Sequence, residues 1–548
     1  MFRYTRIYLL FCFLPLRYLA AGQSIPVTNE LLNDYIRREQ LTDSVYQEAS
    51  FCVRPMTYVF LGNDSSKNWY SSNMQRKIPG LAGKYINLLP LTYSQQYNSH
   101  HPYGWNDGAM IPAKGYQSML SIGIFAKMGK FSLQLLPEMV WAENKDFETF
   151  RTDNGDPMWV SYYQWLNRSD IPEKFGNRTY LEIFPGQSYI RYNTESLSFG
   201  ISTENLWWGP GRHNALVMSD NAPGFLHATI NTFKPLHTKI GDFEGQIIGG
   251  KLTSSGISLP DTLRVNNGVF LYQPKIEEWR YLTGIVMTWQ PKWVKGLFIG
   301  FTDVSYLYHT DISGIADILP LSGIIRSNNE KQNKKASLGS VFMRYVMPEE
   351  QAELYFEYGR NDRSAGIYLL SGKEYPTGYV VGLRKLSNSR RDGSRWEFAA
   401  EITQLQLNDA SLINQAKSWY TNDYVRQGYT NDGQVLGAGI GPGSNSQMID
   451  ISWVKGMKKV GVMLERIVRN NDFYYNIFST VGDFEKHWTD LSTTVHADWE
   501  YKNFLFSSKI GLIRSLNYEW YTIPNSAYFT NGYDFLNFQG SLSVSYRW

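Results

Sequence analysis

The sequence predicts an all-β protein, a transmembrane antiparallel β-barrel, and three observations carry that expectation. The first is composition. Aromatic residues make up 15% of the 548 positions, with 38 Tyr and 17 Trp, while charged residues make up only 19%. Mean hydropathy is −0.36, too low for a bundle of spanning helices. It suits a barrel, in which only alternate residues meet lipid and aromatic girdles mark both interfaces. The second is the C-terminus, where Phe538, Gly540, Leu542, Val544, Tyr546 and Trp548 alternate strictly with Gln539, Ser541, Ser543, Ser545 and Arg547. A chain that ends inside a strand, on an aromatic, suits a sheet whose last strand must pair with its first. The third is an export leader with no later apolar run of about 18 residues that could span as a helix. Composition alone would also fit a soluble all-β protein; the three together favour the barrel.

The leader is read from Arg3 and Arg6, the apolar run over 7–16 and the small residues Ala20, Ala21 and Gly22. This predicts a signal peptide over 1–22, cleaved near Ala21 or Gly22. Of the two cysteines, Cys12 falls in the leader, leaving Cys52 as the one thiol of the mature chain. The formal net charge of +3, without a basic run, excludes nucleic acid as a partner. Residues 29–48 read as a helix within an N-terminal segment over 23–55. Asn29 can cap it and Glu30 suits the dipole of its first turn. Leu31, Leu32, Tyr35 and Ile36 form its apolar face, opposite Arg37, Arg38 and Glu39.

From residue 56 to 548 the pattern is β almost throughout. Leu354, Phe356 and Tyr358 alternate with Glu353, Tyr355 and Glu357; Trp396, Phe398, Ala400 and Ile402 alternate with Glu397, Ala399, Glu401 and Thr403. In a barrel the polar face lines a wet lumen and the apolar face meets lipid. The segments 106–108, 153–156 and 431–433 carry Asn/Asp-Gly turn chemistry. They also carry oxygens that calcium could use, but none has EF-hand spacing, so no metal site is expected.

The stretch 197–225 organises the chemistry. Leu197, Phe199 and Ile201 alternate as a strand, and the alternation stops at Trp207-Trp208-Gly209-Pro210-Gly211, where Gly-Pro-Gly is turn chemistry. Arg212, His213 and Asn214 follow. Flat rings beside Arg and Asn make a sugar-binding surface, since aromatics offer an apolar face with a polar handle. The alternative is that the two Trp rings only pack a loop or belong to an interfacial belt. A second Gly-Pro-Gly at 441–443 suggests, with 209–211, loops folding over or into the lumen. No G-x-S-x-G elbow or H-E-x-x-H helix is present. Glu357, Glu397 and Glu401 could serve as an acid/base pair, or could line a solvated interior paired with Arg344 or Arg384. No nucleophile stands at a legible spacing from a base, so neither an enzyme nor a cofactor is expected.

Several stretches in order then resemble one family. They are 101–115 (His-Pro-Tyr-Gly-Trp-Asn-Asp-Gly-Ala-Met-Ile-Pro-Ala-Lys-Gly), 185–191 (Pro-Gly-Gln-Ser-Tyr-Ile-Arg), 203–212 (Thr-Glu-Asn-Leu-Trp-Trp-Gly-Pro-Gly-Arg), 219–224 (Ser-Asp-Asn-Ala-Pro-Gly), 241–246, 353–362 and 428–445. Together they are similar to the capsule assembly proteins typified by Wzi, in the form found in Bacteroidetes. The resemblance implies a barrel of about eighteen strands in the outer membrane, with a small helical element on the periplasmic side. It implies a lectin-like role, holding exported capsular or exopolysaccharide at the cell surface, with outer-membrane lipid around the wall and the export machinery as a further candidate partner. Residue type then nominates the contacts: Trp207, Trp208 and Trp105 to stack on sugar faces, Arg212, Asn214, Asn431 and Gln434 to hydrogen-bond them. The alternative on the same barrel is a passive porin with an open lumen.

Overall fold

The computed structural model describes residues 23–42, 49–57, 76–77, 84–259, 261–320, 334–361, 376–408, 417–481, 486–521 and 533–548. The signal peptide expected over 1–22 lies outside them, as does the 43–48 end of the expected helix.

One antiparallel sheet of 24 strand segments closes on itself. The seam is the strict alternation of the C-terminus: Phe535–Tyr546 pairs with Leu91–Asn98, Tyr546 opposite Leu91 and Gln539 opposite Asn98. On four neighbouring staves the ladder is interrupted, at 89–90, 122–123, 136–137 and 185–188. Pro90, Pro137 and Pro185 supply no N–H to a ladder. At Gly123 a Cβ would sit 1.9 Å from the Leu135 carbonyl oxygen, so only glycine allows that approach.

The two faces of the wall differ as the alternation predicts. Leu536, Phe538 and Leu542 on the last strand are 60%, 43% and 40% exposed, a display of apolar side chains that lipid covers. Trp293, Trp396, Trp499, Tyr501 and Phe504 are also exposed and cluster beside the short connections at 292–296, 387–394 and 502–503. They form an aromatic girdle at that rim, which short turns mark as the periplasmic one. The described residues of the long connections, including 143–179, 203–226, 253–259, 261–279, 405–408 and 417–444, lie at the extracellular end.

The lumen is filled. Helix α1 (Glu30–Glu39) and residues 49–54 enter from the periplasmic side, and 203–226 and 417–444 fold in from the extracellular side. Trp208, Leu216, Trp419, Tyr420 and Tyr429 pack against wall residues Leu282, Val304 and Val380 in one core inside the barrel. Asn29 caps α1 as expected, its side chain accepting from the Leu32 N–H at 3.2 Å. The helix is shorter than the 29–48 pattern suggested, ending at Glu39 with a turn through Thr42. Its polar face does not look into water: Arg37 and Arg38 are buried, because the lumenal wall opposite them carries the carboxylates.

Candidate functional site: the lumenal plug

The segment 203–226 is held in place by wall carboxylates. Glu401, on Arg395–Gln404, accepts the backbone N–H groups of Arg212 at 2.8 Å, His213 at 3.0 Å and Asn214 at 2.7 Å, and the Tyr355 hydroxyl at 2.8 Å. Glu357 accepts from Ser340 Oγ at 2.7 Å and from the Leu216 N–H at 3.3 Å. Gly209, at φ 112°, presses against Glu357 so closely that a Cβ would lie 2.8 Å from its Oε2. Of the three carboxylates weighed for acid/base work, Glu401 and Glu357 thus anchor a loop backbone, while Glu397 pairs with Arg384 and Lys459.

Trp207 and Trp208 form a two-residue ladder with Arg54 and Val53. Trp207 lies under the Arg54 guanidinium, 4.5 Å from its ring centroid, and Trp208 Nε1 donates to Gln246 Oε1 at 3.0 Å. They are 3% and 0% exposed, so both ring faces are covered by protein and the loop-packing alternative describes them. Burial pushes the Cys52 thiol, next to this ladder, up to about 12, and lowers Arg54 to about 9.

Arg212 reaches Asp34 of α1 at 2.9 Å and Glu397 at 3.6 Å. Arg384 bridges the same two carboxylates at 3.1 and 2.6 Å, and Lys459 joins them at 3.6 and 3.1 Å. Burial opposes ionisation of Asp34, but Arg384, Lys459, Arg212 and Arg38 together hold its carboxyl well below the usual range. His213 is partly buried, and Glu465 at 3.0 Å outweighs the desolvation and raises its pKa. A second cluster joins Arg37 and Arg344 to Glu353 at 3.0 and 2.6 Å. Pairing Arg344 and Arg384 with wall carboxylates is what a polar lumen requires, since removing one partner would leave a buried charge alone.

The other nominated residues are spread through the plug. Trp105 is partly exposed and meets His213 edge-on at 5.1 Å and Arg469 at 5.7 Å. Asn214 is buried beside Arg212, and its backbone, not its amide, makes the contact to Glu401. Asn431 accepts from the Thr253 N–H at 3.0 Å and donates to the Pro223 carbonyl at 3.2 Å; Gln434 donates to the Met110 carbonyl at 3.1 Å. The structure brings Trp105, Arg212, His213 and Asn214 together, and uses Asn431 and Gln434 as ties between plug segments.

Sequence reasoning passed over the extracellular crown. Helix α2 (Asp156–Leu166) packs on the Asn471–Val481 helix through Phe150, Trp159, Tyr162 and Phe473, with Phe150 and Tyr162 stacked at 4.1 Å. Trp165, Tyr475 and Trp488 are partly buried at its edge. The signal was the run Trp159-Val-Ser-Tyr-Tyr-Gln-Trp165 in an otherwise polar loop. Among the described residues no group of three His, Cys, Asp or Glu could hold a metal ion.

Wzi of Escherichia coli, an outer membrane protein involved in group 1 capsule assembly and described as a carbohydrate-binding β-barrel, superposes with a TM-score of 0.60 at 11% identity, covering 96% of this chain and all of its own. OccAB2 of Acinetobacter baumannii (TM-score 0.43, 12% identity, 86% and 99% coverage) and OprD of Pseudomonas aeruginosa (0.40, 8%, 87% and 97%) are more distant barrels. No curated protein sequence matches. The family model for capsule assembly protein Wzi matches residues 104–508, which include the lumenal loop, its wall anchors and most of the barrel, and the chain belongs to that family.

Proposed function

We propose that this protein is an outer-membrane, lectin-like barrel that binds exported capsular or exopolysaccharide and helps assemble it or retain it at the cell surface. The observation that carries the reading is the filled lumen. A porin needs a water-filled way through, whereas here buried Trp, Tyr and Leu side chains from three segments occupy the barrel interior. Family membership supports the same conclusion, as does the carbohydrate binding attributed to the Escherichia coli barrel.

In this reading the polymer meets the extracellular crown, where Trp165 and Tyr475 present partly exposed rings, and Trp105 is the one nominated Trp with a partly open ring. The buried Trp207, Trp208 and Asn214 set the shape of the plug beneath. Binding proceeds without turnover: each contact is weak, and many repeats of one polymer meeting many barrels give retention through avidity.

The test compares cells with the protein, without it, and with Trp165→Ala/Tyr475→Ala. Deletion should release polymer into the medium, and the double variant should do so while still inserting. A deletion strain that keeps its coat but loses uptake of a solute, together with high single-channel conductance of the purified protein, would restore the porin reading.

A further inference from the structure

Between α1 and the wall lies a cavity of about 160 Å3. It runs inward from Ser545 and Leu505, next to the short 502–503 turn of the periplasmic rim, to Gln96 and Asp107 beneath the plug. One side is a ladder of hydroxyls across the barrel seam, with Thr92 Oγ1 2.9 Å from Ser545 Oγ and Ser94 Oγ 2.9 Å from Ser543 Oγ. Apolar surface is interleaved from Leu31, Met119, Leu136 and Leu505. Among the described residues no aromatic ring lines it.

The inner end is short of hydrogen-bond donors. Glu138 is 2% exposed; its Oε1 accepts from Gln187 at 3.0 Å and its Oε2 has no partner. Asn106, another lining residue, likewise has an Oδ1 without a partner, and both oxygens are enclosed behind the cavity surface. The charges bias the choice of molecule. Lys509 is paired with Glu30 at 2.6 Å, so among the described residues of the lining Glu138 and Asp107 meet no free cation. Burial pushes the Asp107 carboxyl up to about 6. As for size, a cavity of about 150 Å3 admits a six-membered ring. Donor-rich edges with C–H faces, no net charge and one ring describe a neutral sugar.

Resting on the carbohydrate reading above, we propose that this cavity is a second carbohydrate subsite, taking one neutral hydroxyl-rich sugar residue from the periplasmic side. It recognises hydroxyls through the seam ladder of Thr92, Ser545, Ser94 and Ser543, and uses no stacking.

The test is thiol modification of full-length Ser543→Cys in detergent, for which buried Cys52 gives a silent background. Methanethiosulfonate labelling is timed with neutral glucose, galactose, mannose and N-acetylglucosamine trisaccharides, and with trigalacturonate. At least one neutral trisaccharide should slow labelling severalfold, trigalacturonate should not, and adding Ser94→Leu should abolish the protection. Ser541→Cys repeats the measurement if Ser543→Cys fails to fold. Unchanged labelling with every neutral trisaccharide, or equal protection by trigalacturonate, overturns the subsite. If cells still lose polymer on deletion of the protein, that result leaves the surface-binding reading standing; if polymer retention is also independent of the protein, both fall.

Discussion

Arg37 of α1 donates to the Pro210 carbonyl at 2.7 Å, while the same guanidinium reaches the Gly211 carbonyl at 3.3 Å and Glu353 of the wall at 3.0 Å. A helix from the periplasmic side and a loop from the extracellular side therefore meet on one side chain in mid-lumen. Arg suits this junction because its planar fork carries several donors at fixed angles.

Arg37→Ala should loosen the plug without opening the wall. Breaking a buried ion pair costs about 3–5 kcal/mol when one charge is left alone. Arg344 still partners Glu353, so the loss should fall at or below the low end of that range. The midpoint of chemical unfolding should drop, and Arg37→Lys should recover little of it. An unchanged midpoint would show that the helix is held by the Asp34 cluster alone.

Glu401→Gln replaces an acceptor-only group with one that points an NH2 at backbone donors. At least one of the three N–H groups of 212–214 then loses its partner, at about 1–3 kcal/mol. Thermal stability should fall while the protein still inserts, and the 203–226 loop should become cleavable by added protease. If the variant keeps wild-type stability and loses a hydrolytic activity on glycan, Glu401 is catalytic instead.

Asp220 sits on the same loop, buried, with Oδ1 unpartnered. Burial pushes its carboxyl up to about 8 from an ordinary value of 3.8. The folded state therefore holds a proton that the unfolded chain releases. The stability this contributes is fully present below about pH 3.8 and is lost as pH rises through about 8. Asp34 has the opposite sign: its lowered pKa contributes stability that is present above 3.8 and lost in stronger acid. Asp220→Asn should flatten the fall in stability between about pH 4 and pH 8, which a pH series of melting curves reads directly.

Cys52 should not react with maleimide in the folded protein, since it is fully enclosed and its thiol is held up at about 12. Labelling should begin only as the Trp207–Arg54 ladder opens, making it a reporter for plug unfolding separate from the wall. Trp208→Ala, a large-to-small change of about 3–5 kcal/mol that also strips Gln246 of its donor, should speed that labelling. Immediate reaction in the wild type would contradict the enclosed ladder.

Much of the fold was legible in the chain because a barrel writes its two faces as alternation. Glu353, Glu357, Glu397 and Glu401 were readable as lumenal from spacing, as was the closure by the last strand. What spacing does not carry is the occupant of the lumen. Trp208 takes its polar contact from Gln246, 38 positions away, and Asn214 its anchor from Glu401, 187 away. A Trp-Trp pair beside Arg reads the same whether its rings face a sugar or a neighbouring segment, and only tertiary placement decides. Helix α1 shows the same limit: its two arginines look like a solvent face until the carboxylates on strands more than 300 residues later stand opposite them.

The interrupted ladder at Pro90, Gly123, Pro137 and Pro185 bears on how the molecule is put together. The N-terminal helix docks on Glu353, Gly456 and Lys509, groups synthesised long after it. Its seat exists only when those staves stand side by side. The leading end of the chain is thus held by contacts of very long sequence separation. Four adjoining staves with missing rungs next to the seam between 91–98 and 535–546 give this sector of the wall the fewest bonds resisting late adjustment. The same irregularity that spoils the sheet locally leaves room to enclose a plug drawn from both ends of the barrel.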